Sequence, residues 1–328
     1  MAEAASYLAV QLRLELIARN RAYARGRAHV QSYGNPPVVV YAPENGRHGN
    51  FFDPAYAAIL ENPQWMRRFD KVHAQAARCL PKAERRWREL DSSMSSDALL
   101  MNVFCTPGVA ESAAVRNVLG IDGNAAPIFG LKARVPLNNG RFDRTEIDMR
   151  FGSLLVEAKL TESNFQTRAA PVVEAYRDFE HVFARDELPR VEIAIARSRR
   201  ASESPENYSQ EFESETCDPD SFSPVDYIIQ PPGEPGYASY QLIRNVLAAY
   251  AEGCNFCVLH DARRPDLREQ WYRVMAAVKH AEVRVRLKVL TWQELATHLP
   301  GELQRFLDLK YGIVAPGTIA SPIEEVPA

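Results

Sequence analysis

The sixteen residues Thr145-Glu-Ile-Asp-Met-Arg-Phe-Gly-Ser-Leu-Leu-Val-Glu-Ala-Lys-Leu160 constrain this chain more than any others. Two apolar-alternating runs flank Gly152-Ser153, the pattern of a two-residue β-hairpin, and glycine at the first central position suits a type II′ turn. A turn of that length fixes the register. Phe151 then opposes Leu154, and counting outward puts Asp148 across from Glu157 and Glu146 across from Lys159. Side chains alternate along a strand. Glu146, Asp148, Glu157 and Lys159 are therefore expected on one face, and Ile147, Met149, Phe151, Leu154, Val156, Ala158 and Leu160 on the other. One face goes to a core, and the other concentrates charge.

Two directly opposed carboxylates, roughly 5 Å apart at Cβ, repel each other and destabilise a bare sheet. A hard divalent cation removes the conflict: Mg²⁺ (or Mn²⁺) prefers oxygen ligands and keeps waters for a substrate phosphate. Such an ion polarises a phosphoryl oxygen and acidifies its bound water. A lysine beside the pair orients or deprotonates the attacking water, or stabilises charge on phosphorus. The competing reading is a solvated face of alternating charges with Glu146 paired to Lys159. That reading leaves the Asp148–Glu157 repulsion unrelieved.

Around the hairpin the pattern alternates between helical and strand-like. Residues 6–25 read as a helix with stripes Leu8, Leu12, Leu16 and Tyr7, Val10, Leu14, Ile17, its arginines (Arg13, Arg19, Arg21, Arg25) on a solvated face. Val38–Tyr41 reads as a short strand. Residues 54–90 are helical, broken before Pro63 and near Pro81, with Trp65, Phe69, Val72 and Trp87 as core contacts. The clusters Arg67-Arg68 and Arg85-Arg86-Trp87-Arg88 either grip a phosphate backbone or are surface arginines beside a buried tryptophan. After a loop at Asp91–Asp97, a buried helix covers Ala98–Cys105, and a second restarts at Thr106-Pro107 and runs to Leu119, ending at Gly120.

Strands are predicted at Ile128–Leu137, Thr145–Phe151 and Leu154–Leu160. Residues 161–236 interrupt the pattern with a helix at Val172–Ala184, a strand at Val191–Ala196 and an acidic loop at 201–224. A helix follows from Tyr237 to Gly253, then a strand (Asn255–His260), a helix (Asp266–Lys279), a strand (Val283–Leu290), short helices (Trp292–Leu299, Glu302–Lys310) and a tail.

Composition excludes some classes. No apolar run approaches the roughly 20 residues that cross a bilayer, and the start, Met1-Ala-Glu-Ala-Ala, lacks a basic leader region. A cytoplasmic protein without a membrane partner is expected. Cys254-Asn-Phe-Cys257 has no second Cys/His pair at zinc spacing. It opens an apolar strand, where positions three apart point to opposite faces, so both thiols read as inert core residues. The net charge of −3 argues mildly against tight non-specific DNA binding while leaving room for a local basic groove.

Asp148…Glu157-Ala-Lys159 resembles the signature of the PD-(D/E)XK nuclease superfamily, and the element order over roughly 98–290 resembles its α-β-β-β-α-β core. Ser95-Ser96 before Asn102-Val-Phe104, and Tyr240-Gln241-Leu242, resemble a bacterial branch of restriction-endonuclease-like proteins. The resemblance implies an α/β fold: a mixed central sheet flanked by helices, an N-terminal helical region (1–97) packed on it, a nuclease domain (98–312) with insertion 161–236, and a tail (313–328). It implies Asp148 and Glu157 as metal ligands and Lys159 as the catalytic lysine, although Ile147 stands where the pattern has proline. Many members carry a further acid on the first core helix. Glu111 is the candidate here, and a first-turn glutamate favoured by the helix dipole accounts for it equally. Gln241 is a further candidate for the site, as are Gln166 and, at a strand end, His260-Asp261, where structural roles compete.

The implied function is a Mg²⁺- or Mn²⁺-dependent endonuclease cleaving DNA in restriction, defence or repair, with two copies expected for double-strand cleavage. The alternative is a catalytically silent nucleic-acid-binding or interaction protein on the same fold.

Overall fold

Gly152 adopts φ +61° while Ser153 keeps a negative φ, so the hairpin turns on the glycine as the sequence requires. In this computed structural model the described residues are 2–32, 34–71, 88–123, 125–193 and 233–323. Expectations for Val72, Trp87, residues 85–86 and the acidic stretch 201–224 fall outside them.

Nine helices and five strands organise the site among the described residues: α1 (Ala2–Tyr23), α2 (Asp53–Glu61), α3 (Pro63–Phe69), α4 (Ser96–Phe104), α5 (Ala113–Leu119), β1 (Pro127–Pro136), β2 (Phe142–Phe151), β3 (Leu154–Ala158), α6 (Tyr240–Glu252), β4 (Asn255–His260), α7 (Pro265–Ala276), β5 (Leu287–Thr291), α8 (Trp292–Ala296) and α9 (Gly301–Tyr311). The central sheet has the order β5-β4-β3-β2-β1. Strands β1, β2 and β3 form an antiparallel meander, and β4 lies parallel to both β3 and β5.

Helices cover both faces. On one side Leu99 and Phe104 of α4, Leu12 and Leu16 of α1, and Trp292 and Leu303 pack with Met149, Phe151, Val156 and Leu259. On the other, Leu242 and Val246 of α6 and Trp271 of α7 pack with Ile147, Leu155, Phe256 and Val258. Strand β3 is buried along its whole length because both its faces are covered. This is why a near-continuous apolar run containing the single charge Glu157 still forms a strand.

Several expectations are corrected. The helix predicted from Thr106 begins only at Ala113: Gly108 takes φ +81°, and the Ser112 hydroxyl caps the helix by accepting from Val115 N. Val283–Leu290 is a helical turn at Ala281–Arg284 followed by β5, and Val285 is exposed. Residues 89–91 form a 3₁₀ turn rather than the end of the last helix expected within 54–90. In α1 Leu12 and Leu16 of one stripe and Ile17 of the other are buried, while Tyr7, Val10 and Leu14 face outward.

The described insertion residues hold two single helical turns (Ala170–Val173, Phe179–Val182) in place of one helix. They also form a small antiparallel sheet in which Glu234–Ala238 lies between Thr167–Ala169 and Arg190–Ile193. Among the described residues no helix is long and apolar enough to cross a membrane.

Asparagines fasten the N-terminal segment to the core. The Asn102 amide donates to the Asn50 carbonyl (3.0 Å) and its oxygen accepts from Phe52 N (2.6 Å). Lys310, fully buried, donates from Nζ to Asn20 Oδ1 and Asn50 Oδ1, both at 2.7 Å, and lies 4.5 Å from the Tyr41 ring centroid. Burial, and then Arg27, holds its ammonium well below the ordinary lysine value.

The unfolded chain therefore binds a proton here that the native state resists. That penalty shrinks as pH rises toward the unfolded lysine value of about 10.4. Between pH 7 and 9, below the titration of neighbouring tyrosines, urea unfolding of the wild type is expected to show stability rising with pH relative to Lys310→Met. Parallel pH profiles for the two proteins would refute this.

Candidate active site

The hairpin register is the expected one, with Phe151 opposite Leu154, Arg150 opposite Leu155 and Met149 opposite Val156. The ladder stops there, one pair short of Asp148 and Glu157. In place of that pair, Asp148 Oδ2 accepts from the Ala158 backbone N–H at 2.7 Å. The carboxylate thus occupies the fork where β2 and β3 separate. On the other side of β2, the β1 ladder skips the Gly130–Asp148 pair, and Gly130 has φ +63°.

Side-chain alternation slips at this point. Ile147 packs under α6 while Met149 packs on the opposite face of the sheet. The slip aims Glu146 away from the site: its carboxylate meets Lys71 (2.5 Å), Arg68 (3.6 Å) and Lys132 (3.9 Å). Glu146 is therefore neither Lys159's cross-strand neighbour nor on the face shared by Glu157 and Lys159.

The backbone at the end of β3 is pinned on three sides. Ala158 N–H goes to Asp148, Lys159 N–H to the Leu259 carbonyl (2.8 Å), and the Lys159 carbonyl accepts from Trp292 Nε1 (3.0 Å). From that anchor the buried Lys159 ammonium donates to Glu157 Oε1 and to Gln241 Oε1, each at 3.0 Å. The other oxygen of Glu157 accepts from the Asn245 amide at 2.8 Å, and Asn245 in turn accepts from the Thr145 hydroxyl.

Gln241 and Asn245 are one helical turn apart on α6, so one face of that helix holds both Glu157 of β3 and Lys159 just beyond it. The start of α6 is set by the insertion. Carbonyls of Phe165 and Gln166 accept from Gln241 N and Tyr240 N, both at 3.0 Å, supplying partners for first-turn N–H groups.

Asp148 keeps some exposure, yet its carboxyl is pushed well above the usual aspartate range. Burial is the first cause and the Glu157 charge the second, with Lys159, the Ala158 N–H and Arg68 opposing. Burial would lower the Lys159 proton affinity, but Glu157, Glu162 and Asp148 outweigh it and raise it above the ordinary lysine value. The lysine is thus held as a cation between acids.

Glu111 is not brought to this cluster as a third ligand. It lies exposed in the turn before the Ser112 cap, off the helix on which it was expected. Among the described residues no group of three or more His, Cys, Asp or Glu could hold a metal.

Gln166, with φ +59°, contributes its backbone to the start of α6. His260 is buried with Nδ1 2.8 Å from the Asp261 carbonyl, and Asp261 is taken up by Arg263 (2.6 Å) and Gln293 (2.9 Å). Cys254 and Cys257 lie in the clusters on opposite sides of the sheet, and burial pushes the Cys257 thiol up to about 12.

Three partners were missed in the sequence. Asn245 was legible as a polar residue four positions after Gln241 inside an apolar stripe. Glu162 accepts from the Ser96 hydroxyl (2.6 Å) and the Leu160 N–H (2.7 Å), three residues past Lys159. Arg68, read as a surface or phosphate-gripping arginine, is instead buried against Asp97 and Glu89 and contributes its charge to Asp148.

The Glu157 charge raises the cost of ionising Asp148, and these two carboxylates are the groups that could hold a Mg²⁺ ion, which needs only one or two protein carboxylates alongside waters and phosphate oxygens. A mixed sheet flanked by helices on both faces, with acids and a lysine at its fork, is an architecture compatible with restriction-endonuclease-like proteins. The sequence profile of the family described as restriction endonuclease associating with ARP matches residues 18–312, and the chain belongs to that family. No curated protein and no solved structure matches the chain.

Proposed function

We propose that this chain is a Mg²⁺- or Mn²⁺-dependent endonuclease that hydrolyses phosphodiester bonds in DNA. The observation that carries this reading is the cluster Asp148, Glu157 and Lys159 at the sheet fork, two acids and a cation held in one place by backbone and α6 contacts. The family's description as a restriction endonuclease supports DNA as substrate and restriction or defence as the setting.

Asp148 and Glu157 would hold the cation, which when bound supplies a water of lowered pKa and polarises the phosphoryl oxygen. Lysine has three N–H donors, and Glu157 and Gln241 account for two of those of Lys159 among the described residues. The third is left for a phosphate oxygen or the attacking water. Its raised proton affinity makes Lys159 a donor that stabilises charge and not the base. Asn245 and Gln241 position the charged groups from behind.

The test is incubation of the purified protein with supercoiled plasmid and with single-stranded DNA, in Mg²⁺, Mn²⁺ or EDTA. Cleavage confined to the metal lanes is expected, and cleavage that persists in EDTA would sink the mechanism. Because outer contacts to metal ligands are worth about 10–100-fold in metal affinity or activity, Asn245→Ala should shift the Mg²⁺ titration of cleavage upward by that factor. An unshifted titration would remove Asn245 from the site.

A second reading is a catalytically silent binding or interaction protein. It is favoured by the lack of a third carboxylate among the described residues and by a family description that names an association with ARP. The same plasmid assay separates it from the first.

A further inference from the structure

We propose that the cavity between α3 and β1 is a nucleotide subsite, seating one phosphate and base of the substrate strand beside the catalytic fork. It rests on the nuclease reading above. The cavity has a volume of about 380 Å³ and is walled in part by Arg67, Arg68, Lys71, Phe129, Gly130 and Glu146. That volume is at the low end of small-ligand clefts, roughly 300–1,000 Å³.

Its position ties it to the site. Gly130 is the β1 residue skipped in the ladder at Asp148, and neighbouring strands are about 4.8 Å apart. Arg68 is a shared wall, lining the cavity while its charge acts on Asp148. Glycine keeps that wall open: a Cβ at position 130 would lie 3.1 Å from Arg68 Cδ, on a backbone with φ +63° that side chains rarely adopt.

Its chemistry matches a nucleotide. Arg68 and Lys71 are engaged by acids: Arg68 by Asp97 and Glu89, Lys71 by Glu146 and Glu89. Arg67 is exposed at the rim with no ion pair among the described residues, which leaves its guanidinium for a phosphate. Phe129 is held edge-on by Trp65, ring centroids 6.1 Å apart at 74°, and offers a ring for stacking that tolerates any base. The Glu146 carboxylate, within 3.9 Å of Lys71, Arg68 and Lys132, makes the inner wall polar. A polar floor, an aromatic wall and a cationic rim together select a nucleotide over an apolar ligand.

The test is fluorescence anisotropy of a fluorescein-labelled single-stranded DNA 12-mer with the full-length protein in EDTA, where metal-dependent cleavage is suppressed. Arg67→Ala should weaken binding about tenfold and reduce the slope of log affinity against log salt by about 0.7, the loss of one single-strand phosphate contact. Arg67→Glu should weaken it further. Phe129→Leu, which keeps the apolar packing but removes the ring, should also weaken it, with circular dichroism confirming the fold of each variant.

Binding by Arg67→Glu within twofold of wild type, or no binding by the wild type, overturns the subsite. Arg67-dependent binding by a protein that cleaves nothing in Mg²⁺ or Mn²⁺ would retain the subsite and reject the nuclease reading.

Discussion

Lys159→Ala is expected to lower the rate of Mg²⁺-dependent plasmid cleavage by about 10²–10³-fold, the cost of removing one preorganised donor to developing negative charge. The ammonium sits between Glu157 and Gln241 at 3.0 Å from each, fixed by a backbone pinned on three sides. Lys159→Arg keeps the charge but changes its shape and reach, so only partial recovery is expected.

Asp148→Asn should abolish cleavage, yet raise stability at neutral pH. The folded pKa of Asp148 is raised above its ordinary value of about 3.9. Stability is therefore fully present below that value and is lost as pH rises through the folded pKa. Without metal, Asp148→Asn should melt higher than wild type at neutral pH, with Mg²⁺ closing the gap from the wild-type side. Cleavage by Lys159→Ala within threefold of wild type would end the catalytic assignment, and a lower melting temperature for Asp148→Asn would end the electrostatic one.

The largest effect on stability is expected at Trp292. Its ring is buried in the cluster formed with α4, α9 and the sheet, and its Nε1 donates to the Lys159 carbonyl at 3.0 Å. Trp292→Ala should cost about 3–5 kcal/mol in urea unfolding. Trp292→Phe retains most of the packing and should cost about 1 kcal/mol for the lost hydrogen bond and the smaller ring. Because the donor anchors the peptide of Lys159, the proposed charge-stabilising lysine, Trp292→Phe should also slow cleavage more than its small stability loss explains. A cost below 1 kcal/mol for Trp292→Ala would show that the contact is not structural.

The hairpin and its register were legible because Gly152-Ser153 leaves few alternatives and because register follows from the turn alone. The fork was not. It depends on Gly130, a residue of a different strand, whose positive φ accompanies the slip in alternation at Asp148. Extending strict alternation past that point put Glu146 beside Lys159, whereas Glu146 belongs to the Arg68 and Lys71 network.

Glu111 was misplaced for a local reason. Thr106-Pro107 is a valid helix start, but Gly108 and the Ser112 cap defer the helix by most of two turns. The insertion's middle strand contains Pro235, paired with Glu192, in a position where proline argues against a strand. Gln241 was within reach of sequence reasoning because it flanks an apolar stripe. Asn245 needed the further step of asking which residue one turn later would hold the acid that the lysine leaves uncovered.

The small sheet of the insertion has a consequence for how this protein tolerates change. Ile193 pairs with Glu234, which brings these two positions side by side at one end of that sheet. The entropy of closing a flexible loop grows only with the logarithm of its length, about 0.6 kcal/mol for each doubling. A flexible segment added between two positions so paired would therefore cost little in closure entropy, while the carbonyls of Phe165 and Gln166 continue to seat α6 and, through it, the lysine. A new binding module could be grafted there with the fork left in register.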